Sequence, residues 1–205
     1  MAEGEVYPSK NYGDMEVVEY VSAIKVLIRF VNTDYTKYAE ASNIRKGEVK
    51  DITAPSVCGV GYVGIGSYAS DHFSYKRWNN MLERCYGPGH EVKFPHYIGC
   101  TVVPEWHNFQ VFAAWFDDNY VEGYELDKDI KVPGNRVYGP DTCIFVTQAE
   151  NMVEAAAKSY TMLFMGEDII VYNLSEFCRN KGLNYQKVYY ALTKRKNPID
   201  IFTCV

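Results

Sequence analysis

Leu126-Asp127-Lys128-Asp129-Ile130-Lys131, the turn signals Pro133-Gly134-Asn135 and Gly139-Pro140-Asp141, and then Thr142-Cys143-Ile144-Phe145-Val146-Thr147 form the stretch whose reading decides the fold. Its two flanks are short runs of strand-forming residues, and the Pro, Gly, Asn and Asp between them supply turn geometry. The chain from about Gln148 to Lys158 follows without a spacer and reads as a helix. The order strand, loop, strand, helix is a ββα unit.

Upstream, Trp78, Met81, Leu82 and Cys85 fall at helical spacing in an otherwise polar segment, and Gly87-Pro88-Gly89 ends that helix. A second helix is expected over about Glu105 to Asp118, with Trp106, Phe109, Phe112, Ala113 and Phe116 on its core face. Before these, Ile24, Val26, Ile28 and Phe30 alternate with Lys25, Leu27 and Arg29, which predicts a strand with one buried face. Asn32-Thr33-Asp34 is turn chemistry, and residues 35–39 return as a partner strand. The glycines of Gly59 to Gly66 superficially suggest a phosphate loop. No Lys-Ser/Thr follows them, so a strand or bend with close backbone packing is the better expectation.

Downstream, Asp168 to Tyr172 reads as a strand, and Asn173-Leu174-Ser175-Glu176 reads as a helix cap with Glu at the third helical position. Gly182 stops this helix. Asn184 caps a second one, with Val188, Ala191 and Leu192 inward, giving a helix-turn-helix. The expected architecture is α+β: a small β-rich domain over residues 1–70, a central ββα domain with a helical lead-in over residues 71–160, and a helix-turn-helix module over residues 161–205.

The 205 residues are 47% hydrophobic and 23% charged, an ordinary globular balance, with 18 Tyr and 10 Phe to build aromatic contacts. No apolar run approaches the roughly 20 residues a membrane helix needs. The first ten residues carry Glu3 and Glu5 and no apolar centre, so a cytoplasmic location is expected, without a secretory signal. Six cysteines are scattered without a close pair. That spacing disfavours a zinc site and fits small, reduced core residues. The net charge of −5 is unevenly spread. The segment from Glu105 to Asp129 is acidic, whereas Arg179, Lys181, Lys187, Lys194, Arg195 and Lys196 make the carboxyl end basic.

Asp127-Lys128-Asp129, Gly134-Asn135, Tyr138, Cys143, Val146 and Asn151 together resemble the core of phage HNH (ββα-metal) homing endonucleases. Tyr75, Trp78, Met81, Arg84-Cys85-Tyr86, Tyr97, Trp106, Phe109, Phe112 and Trp115 resemble the helical lead-in of such proteins. The resemblance implies Asp127 and Asn151 as ligands of Mg²⁺ or Mn²⁺, with Asn135 as the structural loop residue. It puts Lys128 where that family has its general-base histidine. A lysine holds its own proton at neutral pH, so Asp129 is the candidate for a substitute base or second ligand.

The segment from Val171 to Leu183 looks like the modular helix-turn-helix attached behind homing nuclease cores. It implies DNA as partner, with Asn184 and Gln186 near base edges and Lys187, Lys194, Arg195 and Lys196 near phosphates. The function so implied is metal-dependent cleavage or nicking of DNA by a phage-encoded protein. The alternative is a catalytically degenerate homologue acting as a DNA-binding regulator or as an inhibitor of a host defence protein.

Overall fold

The structure, a computed structural model, describes residues 1–132, 134–156 and 159–194, and the side chains of residues 153–156 and 194 are also outside the description. The chain is mixed α+β and forms two compact units. One comprises residues 1–120 with 136–141, and the other residues 121–135 with 142 onward.

The first unit begins with an antiparallel sheet in sequential order: β1 (Val6–Pro8), β2 (Asp14–Ser22), β3 (Lys25–Phe30) and β4 (Thr36–Ala39). Met15 and Val17 of β2 and Val26, Ile28 and Phe30 of β3 point to one face, where α1 (Ala41–Arg45) adds Ala41 and Ile44 and the chain beyond it adds Val49. The alternation of β3 thus has the expected phase, but Ile24 does not share the buried face. It lies beyond the last pair, Ser22 with Lys25, in the hairpin turn, and is 78% exposed. Two register shifts in β2, after Val17 and after Tyr20, leave Val18 to Val21 exposed. Such bulges sharpen a hairpin's twist. At the β3–β4 turn Asp34 adopts φ 57°, the left-handed region that Asp tolerates in turns. Arg29 pairs there with both Glu16 and Asp34.

The remainder of this unit is an aromatic core. Trp78, Met81, Leu82 and Cys85 of α2 (Tyr75–Tyr86) are buried, as are Trp106 and, from α4 (Phe109–Asn119), Phe109, Phe112, Ala113 and Phe116. The short α3 (His90–Lys93) lies between. The single helix expected from Glu105 is divided: Pro104–His107 is a 3-10 turn, and Asn108 restarts the chain as α4 by accepting a hydrogen bond from the Gln110 amide at 3.0 Å. An Asn at this position satisfies one of the otherwise orphaned amides of the first turn. Trp78 Nε1 donates to the Trp106 carbonyl at 2.6 Å, so the largest buried ring is also satisfied as a donor. The glycine run packs closely, as expected. A β-carbon at Gly61 would meet Leu82 and Trp78, and one at Gly64 would meet Asn108. β5 (Thr101–Val102) pairs in parallel with β7 (Val137–Tyr138). The chain between these two strands includes the first strand of the other unit.

That strand, β6 (Glu125–Asp127), pairs antiparallel with β8 (Ile144–Val146), Glu125 opposite Val146 and Asp127 opposite Ile144. It ends four residues earlier than the expected run to Lys131. The cause is local: Asp127 Oδ1 accepts from the amides of Asp129 and Ile130, each at 2.7 Å, and this side-chain turn replaces the ladder. α5 (Gln148–Ala156) follows β8 at once. Its start is a reciprocal cap, with the Thr147 amide donating to Glu150 at 2.8 Å and the Glu150 amide donating to Thr147 Oγ1 at 3.2 Å.

Next comes a hairpin, β9 (Tyr160–Phe164) and β10 (Glu167–Val171). Its two-residue turn, Met165-Gly166, has positive φ at both positions, as right-twisted strands require. β9 was not expected from the sequence. α6 (Leu174–Lys181) starts on Asn173, whose side chain accepts from the Glu176 amide, and stops at Gly182 in the left-handed conformation. α7 (Tyr185–Lys194) starts where Asn184 Oδ1 accepts from the Lys187 amide at 3.1 Å. Met162, Val171, Leu174, Cys178 and Val188 form the common core of hairpin and helix pair. Among the described residues no helix is long and apolar enough to cross a membrane.

Candidate functional site

The residues singled out in the sequence for phosphodiester chemistry all lie in the second unit. Strand alternation puts Glu125 and Asp127 on the same face of β6. Asn151, in the second turn of α5, reaches that strand: its Nδ2 donates to Glu125 Oε2 at 2.6 Å. Strand and helix are thereby joined through a carboxylate–amide contact. Glu125 did not stand out in the sequence. The available signal was its position two residues before Asp127, since same-face carboxylates on a strand recur at that interval.

Asp127 uses Oδ1 to hold the turn that follows β6, and no described residue hydrogen-bonds its Oδ2. Asn135 lies on the following loop and donates from Nδ2 to the Lys128 carbonyl at 2.9 Å, tying the loop back to the strand exit. Lys128 is not solvated. It is 6% exposed, and its ammonium is held by the carboxylate of Asp129. The expected substitute base, Asp129, is thus engaged in an ion pair with its neighbour. The four histidines, His72, His90, His96 and His107, all belong to the first unit.

Glu125, Asp127 and Asn151 offer two carboxylates and an amide oxygen. Hard oxygen donors of this kind suit Mg²⁺ or Mn²⁺, which keep several waters and need one or two carboxylates beside the substrate phosphate. Among the described residues no group of three or more His, Cys, Asp and Glu is placed to hold a metal ion by itself.

On the helix pair, Gln186 and Lys187 are exposed on the first turn of α7, beside Asn184, whose Oδ1 is engaged as the cap. Lys194 is the last residue of α7, and Arg195 and Lys196 lie outside the described residues. Sequence reasoning passed over Tyr189, the stacking partner of Tyr185. Both are exposed, and their rings stack, with centroids 5.7 Å apart and 22° between planes. Their spacing of four residues was the readable signal.

Compared with protein-family models, curated proteins and solved structures, the chain matches none.

Proposed function

We propose that this is a DNA-binding, HNH-like protein whose second unit cleaves or nicks phosphodiester bonds with a divalent cation. The observation that carries the reading is the Asn151–Glu125 contact, which brings the amide of α5 to the carboxylate-bearing face of β6. Glu125, Asp127 and Asn151 would hold Mg²⁺ or Mn²⁺. The cation would supply charge neutralisation at the scissile phosphate and lower the pKa of a bound water. The protein's own part would be to fix the ligands: two amides hold Asp127 through Oδ1, and the Asn135 bond sets the loop. The helix pair α6–α7, rich in Lys and Arg beyond its core, would position DNA.

A second reading has its own observation. Because Lys128 is buried and paired with Asp129, an ion pair occupies the position where the resembled family has its base. This favours a DNA-binding regulator or an inhibitor of a defence protein built on a nuclease-like unit. Plasmid nicking separates the two. Under the first reading, supercoiled plasmid is nicked with Mg²⁺ or Mn²⁺, and Asp127→Ala abolishes it. Activity that survives chelation or that substitution rules the site out. DNA binding with no cleavage under any divalent cation selects the second reading.

A further inference from the structure

The exposed side of α7 is organised in strips. At 100° per residue, Val188, Ala191 and Leu192 face the core, Tyr185 and Tyr189 lie along one edge of the outer surface, Gln186, Tyr190 and Thr193 lie at its centre, and Lys187 lies along the other edge. Tyr185 is 42% exposed, Tyr189 38% and Tyr190 62%. Large exposed rings are uncommon on a polar helix face, and two of these, Tyr185 and Tyr189, are held by ring contacts. Tyr189 stacks on Tyr185 and meets Tyr160 of β9 edge to face, with centroids 6.3 Å apart. Burial, with Tyr189 and Tyr185 nearby, raises the Tyr160 hydroxyl above its ordinary pKa. The result is an aromatic shelf, in contact with a strand, across the helix from a cation.

We propose that this shelf binds unpaired nucleotides: bases of single-stranded DNA stack on Tyr185 and Tyr189 while the backbone runs toward Lys187. The inference rests on the reading of the second unit as DNA-binding and names its substrate form. Charge complementarity supports it. From Leu174 to Lys194 the helix pair carries Arg179, Lys181, Lys187 and Lys194 against Glu176 alone, in a chain of net charge −5. An acidic protein partner would leave the ring faces unused, and an apolar one would bury Lys187. A single strand uses both, since stacking is tolerant of base identity and phosphates seek the cation.

The test is fluorescence anisotropy on the full chain with a labelled 12-nucleotide oligo-dT and a duplex of the same length, without divalent cation. The wild type should bind oligo-dT. Tyr185→Ala with Tyr189→Ala should weaken that binding about 10-fold or more, and Tyr185→Phe with Tyr189→Phe should retain it. Duplex affinity should change less than about threefold in either variant, a tolerance set by ordinary losses at the rim of an interface. Duplex binding without oligo-dT binding, or an Ala pair that binds oligo-dT as the wild type does, overturns the shelf and leaves the DNA reading standing. Binding to neither probe overturns both. Photocrosslinking of an iodouracil-containing strand to the wild type avoids any folding defect. Adducts at Tyr185 or Tyr189 are expected, and adducts confined to other residues refute the proposal.

Discussion

On the proposed HNH-like reading Lys128 takes the position of the base, and its burial beside Asp129 makes it a structural cation. Removing its counterion should cost more than removing the lysine. Asp129→Ala takes a carboxylate away from a buried ammonium, and breaking such a pair costs about 3–5 kcal/mol when both partners are buried. Asp129 is a third exposed, which lowers the expectation to about 1–3 kcal/mol through solvent screening. Lys128→Met, similar in length and apolar, should cost less than Asp129→Ala. Urea unfolding of the two variants checks the order, and a reversed order means that the pair does not bear on stability. Lys128→His addresses chemistry instead. If the ligands and the DNA path are intact, a histidine there should raise nicking about 10² to 10⁴-fold over the wild type. No gain in a folded variant would show that the site lacks more than its base. The identities of Asp127, Lys128, Asn135 and Asn151 were legible in the chain, but the burial of Lys128 was not. A lysine between two aspartates reads as surface until the loop held by Asn135 is seen.

Helix ends were the most legible elements, because their signals are chemical and local. Asn173, Gly182 and Asn184 each do in the structure what their side chain, or lack of one, dictates. Asn108 carries the same signal, and its role as the start of α4 was hidden by the apolar run around it. β9 lacked any signal of that kind: Tyr160 to Phe164 is apolar almost throughout, and periodicity cannot type so short a run.

The cap of α5 yields a prediction with a definite sign. The amide and hydroxyl of Thr147 hold the Glu150 carboxyl below its ordinary value. A carboxyl depressed in the folded state contributes stability that is complete above its unfolded pKa and is lost as pH falls through the folded one. The Thr147 amide resonance should therefore follow a titration centred below the usual glutamate range, and fraying of α5 should accompany it. Thr147→Ala should cost about 1 kcal/mol at neutral pH, measured by thermal unfolding. A Thr147 amide insensitive to acid would remove the reciprocal cap.

Across the whole molecule, charge separates along the chain, and the stretch from Arg179 onward is its clearly basic one. DNA affinity should then depend steeply on salt despite the net charge of −5. Replacing Lys194, Arg195 and Lys196 together by Ala should reduce the slope of log affinity against log salt by about 0.9 for each phosphate of duplex DNA that is no longer neutralised. An unchanged slope takes these residues out of the interface. The mixed α+β character was legible from the sequence, as was the sheet-then-helices order of the first 120 residues. The interleaving of strands was not, since β5 and β7 are two residues each and their parallel pairing leaves no periodic mark. It has a consequence for synthesis. Strands leave the ribosome as β5, β6, β7, β8 but pair as β5 with β7 and β6 with β8. At about 5–20 residues per second, β5 waits roughly 2 to 7 s for its partner, and β6 emerges during that wait. Neither unit can be completed before the other has begun, so no stop codon between residues 120 and 141 releases a finished half.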